Sequence, residues 1–362
     1  MIKLITVRFL PLAVLSFLAS LSVYLTFYVQ QGENFNALLW NLSHLHMNYV
    51  DFGFVKRGLL GTLFRPVLAL MADGSMAEVA TILVFDIAVC LGLIASLAFV
   101  LKPRAANLGQ SLWFLMLILL IAPTGFMQFG FDITRYDHFG MVLVIAALFL
   151  VAKHRMITAG LVLGLAVLNH EAVVIWGVPV VLAYGYQHLN AGKPRIMKVV
   201  ALASPAVLAA IGVLLFGGAE IDPATVLSDK VSLATSVWSR GLVEPALFFR
   251  KYQYLVIGFY AIMPFVMLHW YYKANGLSRD LLFFAPFACL ALFVLGVDYS
   301  RWTTLILFAC ACVIVVQFRA GHRNSALFVP VHRKVAFGAY VLPLGPIGIT
   351  APLPYLFGLI GL

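Results

Sequence analysis

Apolar runs long enough to cross a bilayer follow one another along almost the whole chain, separated by turns too short to hold a soluble domain. A span needs ~20 apolar residues, fewer where neighbouring protein shelters the helix. Such runs lie near 8–28, 79–101, 109–127, 139–152, 156–168, 172–187, 199–217, 254–271, 281–297, 303–318 and 335–361. No water-soluble fold absorbs this pattern. Of the 362 residues, 63% are hydrophobic and 10% charged, against roughly 45–50% and about 25% in soluble domains. Lipid is therefore the solvent for most of the chain. The expected fold is all-α, a polytopic membrane protein of about 11 transmembrane helices forming one transmembrane domain over 1–362. A cytosolic enzyme, a secreted disulfide scaffold and a nucleic-acid-binding domain are excluded. The short runs between 139 and 187 predict one broken or re-entrant helix, which bilayers tolerate where backbone is buried in protein or lines a wet cavity. Pro343, Pro346, Pro352 and Pro354 predict a kinked or divided last segment.

The net charge of +10 would suggest nucleic acid in a soluble protein. Here the positive-inside rule accounts for much of it. With a cytoplasmic N-terminus, and Met1–Lys3 leading into an uncleaved first helix, 15 of the 24 basic residues fall on inner connections. Acids separate more sharply, with 12 of the 14 outside. Acids contribute little to topology, so their gathering on one side asks for another cause, and a polar reaction surface supplies one. The inner connections are short basic turns such as Lys102–Arg104 and Lys153–Arg155. Two longer outer connections lie at 29–78 and 218–253. The four cysteines, Cys90, Cys289, Cys310 and Cys312, sit inside apolar runs without CxxC spacing and read as small buried apolar residues.

Four outer connections each carry a carboxylate with a cationic or polar partner. After the first span comes Asp51, followed five and six residues later by Lys56 and Arg57, with Gly53, Gly58 and Gly61 permitting close backbone approach. Residues 59–72 read as an interfacial helix broken at Pro66. Arg forks onto phosphate oxygens and Lys acts as a point charge, so this stretch reads as a base beside a phosphate-binding pair, or as a solvated loop with an Asp–Arg pair. The second connection holds Asp132, Arg135, Tyr136, Asp137 and His138. If it is helical, Asp132 and Tyr136 share a face and Asp137 points elsewhere. The third is Asn169–His170–Glu171, a proton acceptor, sugar ligand or polar helix end. HExxH spacing is absent there. The fourth is Asp298–Tyr299–Ser300–Arg301–Trp302, whose indole suits an interfacial belt or a sugar platform. Arg250–Lys251 reads as a lipid-phosphate grip or an interfacial anchor. Asp86, inside a span, reads as a helix–helix hydrogen-bonding residue. His44 and His46 lack a third ligand and read as surface packing.

This layout, with its first outer loop, Asp51 and interfacial helix, resembles the GT-C superfamily of integral membrane glycosyltransferases. The stretches Asp51-Phe-Gly-Phe-Val-Lys-Arg-Gly-Leu-Leu-Gly and Asp298-Tyr-Ser-Arg-Trp also look like motifs of membrane proteins associated with bacterial exopolysaccharide synthesis. The resemblance implies a polyprenyl-phosphate-linked sugar as donor, a glycan or lipid acceptor, and a bacterial inner membrane with the active site facing the periplasm. An endoplasmic reticulum membrane facing the lumen suits the same topology. It implies Asp51 as catalytic base. Lys56, Arg57, Arg135 and Arg301 become donor phosphate binders, and Asp132, Asp137, His170, Glu171, Asp298 and Trp302 contact sugar or acceptor. The first outer loop departs from that family in lacking the DxD pattern, which leaves both a divalent metal and the identity of the base open; no other cofactor is called for. An O-antigen-type polymerase or ligase acting on polyprenyl-diphosphate glycans shares this chemistry. A flippase needs polar access from both sides, for which Asp86 is the main residue, and an O-acyltransferase would use His170.

Overall fold

The structure is a computed structural model that describes residues 2–30, 44–71, 76–101, 110–188, 193–218, 251–295, 298–321, 331–342 and 347. Its helices in chain order are α1 Ile2–Gln30, α2 Tyr49–Phe52, α3 Gly58–Leu68, α4 Met76–Leu101, α5 Gln110–Ile121, α6 Phe126–Phe131, α7 Tyr136–Ala152 and α8 Met156–Asn169, then α9 Val173–Trp176, α10 Val178–His188, α11 Lys193–Phe216, α12 Lys251–Ala274, α13 Leu281–Phe284, α14 Leu292–Leu295, α15 Tyr299–Arg319 and α16 Val331–Tyr340. Among the described residues every helix or turn of helix belongs to an all-α architecture. Lys102–Arg104, Arg250, most of 218–253 and the four C-terminal prolines lie outside the described residues.

Among the described residues, four helices are long and apolar enough to cross a membrane: Val79–Ala98, Ile196–Phe216, Tyr254–Ala274 and Tyr299–Arg319. A fifth arises if Leu115–Phe131 and Tyr136–Ala152 count together as one bent span. The other expected runs are shorter or divided. The 14 residues of α8 rise about 21 Å, well short of a ~30 Å hydrocarbon core. The run at 172–187 divides at Gly177 into α9 and α10, and that at 281–297 passes through a 3-10 stretch, Ala285–Ala291. A helix break does occur, but its plainest instance lies one connection earlier than 139–187, at 132–135.

The chain forms two units, 1–26 with 94–132 and 239–362, and 27–93 with 133–238. In the first, α15 is the buried axis. It is covered over 89% of its apolar window and packs against α12. Such a helix is apolar all round because no face meets water. Its polar residues satisfy themselves locally: Thr303 and Thr304 donate to the Ser300 carbonyl. Gln317 donates to the Tyr272 hydroxyl at 3.2 Å. In α6, Gln128 clamps Ile347 through both its amide atoms, donating to the carbonyl and accepting from the N–H.

The second unit is a bundle in which α8 packs on α7 and α11, and α10 packs on α7 and α11. Gly160 makes the α8–α11 approach, since a Cβ there would lie 2.7 Å from the Leu202 carbonyl oxygen. Along α11, Leu208, Leu214, Leu215 and Phe216 are exposed among the described residues. Water would penalise those apolar side chains and lipid does not. The chain direction assigns the ends. Tyr136, Asn169 and Phe216 stand at one end, where Asn169 donates to the Tyr136 carbonyl and the Lys56 N–H donates to the Gly217 carbonyl. His154 and His188 stack at the other, with ring centroids 4.7 Å apart, beside the basic Lys153 and Arg155.

Helix α3 runs through Pro66 rather than stopping there, and ends at Leu68. Proline in the last turn forfeits one hydrogen bond without breaking what precedes it. The helix is amphipathic, burying Leu60 and Leu68 and exposing Leu63 and Val67. It lies hard against 45–47, because a Cβ on Gly61 would meet the Met47 carbonyl oxygen at 1.9 Å.

Candidate functional site

The polar end of the second unit is built by three of the four sequence connections. Residue Arg57 precedes α3 in a left-handed conformation, with φ 62°, which is uncommon outside glycine. That turn swings its side chain toward Glu171, which follows α8. The guanidinium forks onto the carboxylate, Nε to Oε2 at 3.2 Å and Nη2 to Oε1 at 2.7 Å. The two side chains are 25% and 21% exposed, so the pair is sheltered yet reachable. Burial alone would lower the Arg57 pKa, but Glu171, with Tyr136 and Asp137 in electrostatic reach, raises it. Burial likewise pushes the Glu171 carboxyl up, and the facing Arg57 charge overrides it, holding the group well below the usual carboxylate range. The fork uses Nε and Nη2, and Arg57 Nη1 makes no hydrogen bond among the described residues.

Beside this pair lie Asp137 and His170, both buried. Asp137 occupies the first turn of α7, where the helix dipole favours a carboxylate. His170 Nδ1 and Asp137 Oδ1 are 4.0 Å apart. The Ala172 N–H donates to His170 Nδ1 at 3.0 Å, which assigns the ring's proton to Nε2. His170 can therefore donate only through Nε2, while its Nδ1, the nitrogen nearer Asp137, accepts from the backbone. Asn169, wholly buried, spends its amide N–H on the Tyr136 carbonyl and leaves Oδ1 without a hydrogen bond.

Asp51 does not join them. Asn48 caps α2, accepting from Val50 and Asp51 N–H and donating to Asp51 Oδ2. Arg65, 14 residues on, then forks onto Asp51, with Nε 3.1 and 3.0 Å from the two oxygens and Nη2 2.8 Å from Oδ1. These hydrogen bonds, Arg65 first and Asn48 second, hold the carboxyl below its usual range. A carboxylate so stabilised is a weak base, so the geometry argues against Asp51 as the proton acceptor. Lys56 lies half-buried by Gly217. Arg135 is buried at the N-cap of α7. The segment 132–135 is a turn, not helix, so the expected sharing of a face by Asp132 and Tyr136 does not arise.

The other four residues belong to the first unit. Asp132 is buried and accepts from Gln128 Nε2 at 2.8 Å. Asp298 and Arg301 pair at 3.2 Å. Trp302 is 4% exposed and packs edge-on against Phe293 and Tyr299. Its ring faces are spent on protein, so it is a core residue rather than an open sugar platform or a belt residue.

Asp86 does bond between helices, as expected. It accepts from the Thr134 N–H at 2.5 Å and meets His138 Nδ1 at 3.0 Å. Its neighbours were missed by sequence reasoning: Asp86, Cys90 and His138 converge, all buried, with one ligand atom of each within 4.8 Å of the others. The i,i+4 spacing of Asp86 and Cys90 was the available signal. No protein-family model matches the chain, and no curated protein or solved structure matches it either. The functional reading therefore stands on this geometry and on the sequence.

Proposed function

We propose that the chain is a membrane glycosyltransferase that moves a sugar from a polyprenyl-phosphate-linked donor to a glycan or lipid acceptor at the polar end of the second unit. The observation that supports this best is the sheltered Arg57–Glu171 fork beside buried Asp137 and His170. In this reading the N-terminus is cytoplasmic, the shorter apolar segments bring the spans to about 11, and the polar end faces the periplasm across a bacterial inner membrane. The short basic turn at Lys153–Arg155, at the opposite end, agrees with that orientation.

Each side chain has a task the chemistry needs. The acceptor hydroxyl oxygen attacks the anomeric carbon, that carbon's bond to the phosphate oxygen breaks, and the lipid phosphate departs with the bonding electrons. Arg57 Nη1, with Lys56 nearby, neutralises the departing phosphate. Asp137 takes the hydroxyl proton. His170 Nε2–H donates to a sugar oxygen. Asp51 and Arg65 fix α3 and so position Arg57.

The test supplies the detergent-purified chain with polyprenyl-phosphate and polyprenyl-diphosphate sugars and a panel of acceptors, and follows lipid-linked products by mass spectrometry. Consumption of a monophosphate donor is expected. Asp137→Asn should cost ~10²–10⁴-fold, the usual worth of a positioned base, while Asp51→Asn keeps turnover. Elongation of a diphosphate-linked glycan would instead assign polymerase chemistry, and no turnover across the whole panel would overturn the proposal.

A further inference from the structure

We propose that Asp86, Cys90 and His138 form a binding site for a thiophilic divalent cation of the zinc class, inside the second unit. Asp86 and Cys90 lie on one face of α4, and His138 enters from the first turn of α7. Their exposures are 5%, 0% and 2%, so no bulk water competes for the ligand atoms. Those atoms lie within 4.8 Å of one another. Tetrahedral zinc, with bonds of about 2.0–2.3 Å, separates its ligands by roughly 3.3–3.8 Å. Closing the triad on an ion therefore requires movements of about 1 Å, the scale of a rotamer adjustment.

The donor set fixes the class of ion. One thiolate, one imidazole and one carboxylate suit zinc or cobalt, whereas magnesium and calcium demand oxygen throughout. Charge agrees. Thiolate and carboxylate together cancel a divalent ion and the neutral imidazole adds nothing, so an apolar interior receives no net charge. Binding releases the Cys90 thiol proton to solvent, and the His138 nitrogen that takes the ion gives up the proton it holds toward Asp86, so that a neutral imidazole ligates.

A supporting group is already in place. The Thr134 N–H bonds Asp86 Oδ2 at 2.5 Å, fixing the carboxylate with both oxygens toward His138 Nδ1, Oδ2 at 3.0 Å and Oδ1 at 3.3 Å. Metal ligands are commonly held in this way by an outer hydrogen bond. Thr134 itself has φ 72°, a strained conformation for a β-branched residue. That strain persists where the surroundings require the turn, and the turn delivers His138 to α4. A bound ion would pin the first turn of α7 to α4. The site does not depend on the glycosyl-transfer reading, since it uses none of that reading's residues.

The test uses the full chain in detergent, stripped with a chelator and titrated with Co²⁺, then with Zn²⁺. Retained metal after desalting and the thiolate-to-cobalt charge-transfer absorption are the readouts. A background with Cys289, Cys310 and Cys312 changed to Ala makes Cys90 the sole thiol. About one ion per chain is expected, with the charge-transfer band present, and Zn²⁺ should abolish the band by displacement. Cys90→Ala should remove the band, and His138→Gln should lower retained metal to less than about a tenth. In the chain with no substitution at the site, Zn²⁺ should slow maleimide labelling of Cys90 by ~tenfold or more relative to chelator, a readout that survives if a variant fails to fold. Absence of the band in the parent, unchanged metal content in Cys90→Ala, or labelling indifferent to Zn²⁺ would each overturn the proposal.

Discussion

Replacing Glu171 by Gln keeps its size and removes the charge that faces Arg57. The fork comprises contacts of 2.7 and 3.2 Å. Exposed ion pairs contribute about 0–1 kcal/mol, and breaking a fully buried pair costs about 3–5 kcal/mol. With side chains 25% and 21% exposed, this pair falls between, at about 2 kcal/mol. Coulomb's law agrees: unit charges ~4 Å apart at an effective dielectric of ~20 attract by about 4 kcal/mol before desolvation is subtracted. The assay is a double-mutant cycle over Glu171→Gln and Arg57→Gln, with unfolding of the detergent-solubilised chain followed by helical circular dichroism. Its pH dependence has a definite sign. The Glu171 carboxyl is held below its usual value in the folded state. The stability this confers is present above the unfolded carboxylate's pKa and is lost as pH falls through the lower folded value. The coupling should therefore stay flat between about pH 5 and 8 and decline only in stronger acid. A coupling below about 0.5 kcal/mol, or one that disappears near neutrality, would show that the Arg57–Glu171 charges do not stabilise the fold.

Gly61→Ala places a Cβ where the Met47 carbonyl oxygen lies 1.9 Å away. Overpacking of that kind should cost about 1–3 kcal/mol, outweighing alanine's helix-propensity gain of up to about 1 kcal/mol, and thermal unfolding will read it. Trp302→Ala should destabilise by about 3–5 kcal/mol as a core truncation, while leaving donor preference among sugars unchanged in the product assay. His188 has its pKa lowered by burial and then by stacked His154. The unfolded state thus binds the proton more readily, and stability should fall as pH drops through the ordinary histidine value. His188→Gln should flatten the thermal midpoint between about pH 7 and 5.

The apolar runs were legible because length and hydropathy report a span without reference to anything else in the chain. Breaks were less so. Pro66 reads locally as a helix stop, yet sits in the last turn of α3, where it does little harm. The 172–187 run reads as one helix and divides at Gly177. Within the site, residue identities were visible and partners were not. Asp51 precedes Lys56 and Arg57 closely in sequence, but its carboxylate is taken by Arg65. Arg57 instead turns through a left-handed backbone to Glu171, 114 residues away, and no local pattern announces a contact of that range. The tie made by Asp86 was expected from a lone acid in an apolar helix. Its convergence with Cys90 and His138 required the bend that Thr134 makes, which composition does not encode.

In the proposed function, Arg57 at the polar end of the second unit holds the phosphate of a lipid-linked sugar. The most direct test of this is the affinity of a water-soluble, short-chain polyprenyl-phosphate sugar for the chain in nanodiscs, measured by calorimetry for the parent and for Arg57→Gln. One charge-assisted hydrogen bond from Nη1 is worth about 1.5–3 kcal/mol, so the dissociation constant should rise by roughly 10–100-fold, and the parent's affinity should weaken with added salt. Equal affinities in the two proteins would contradict the account.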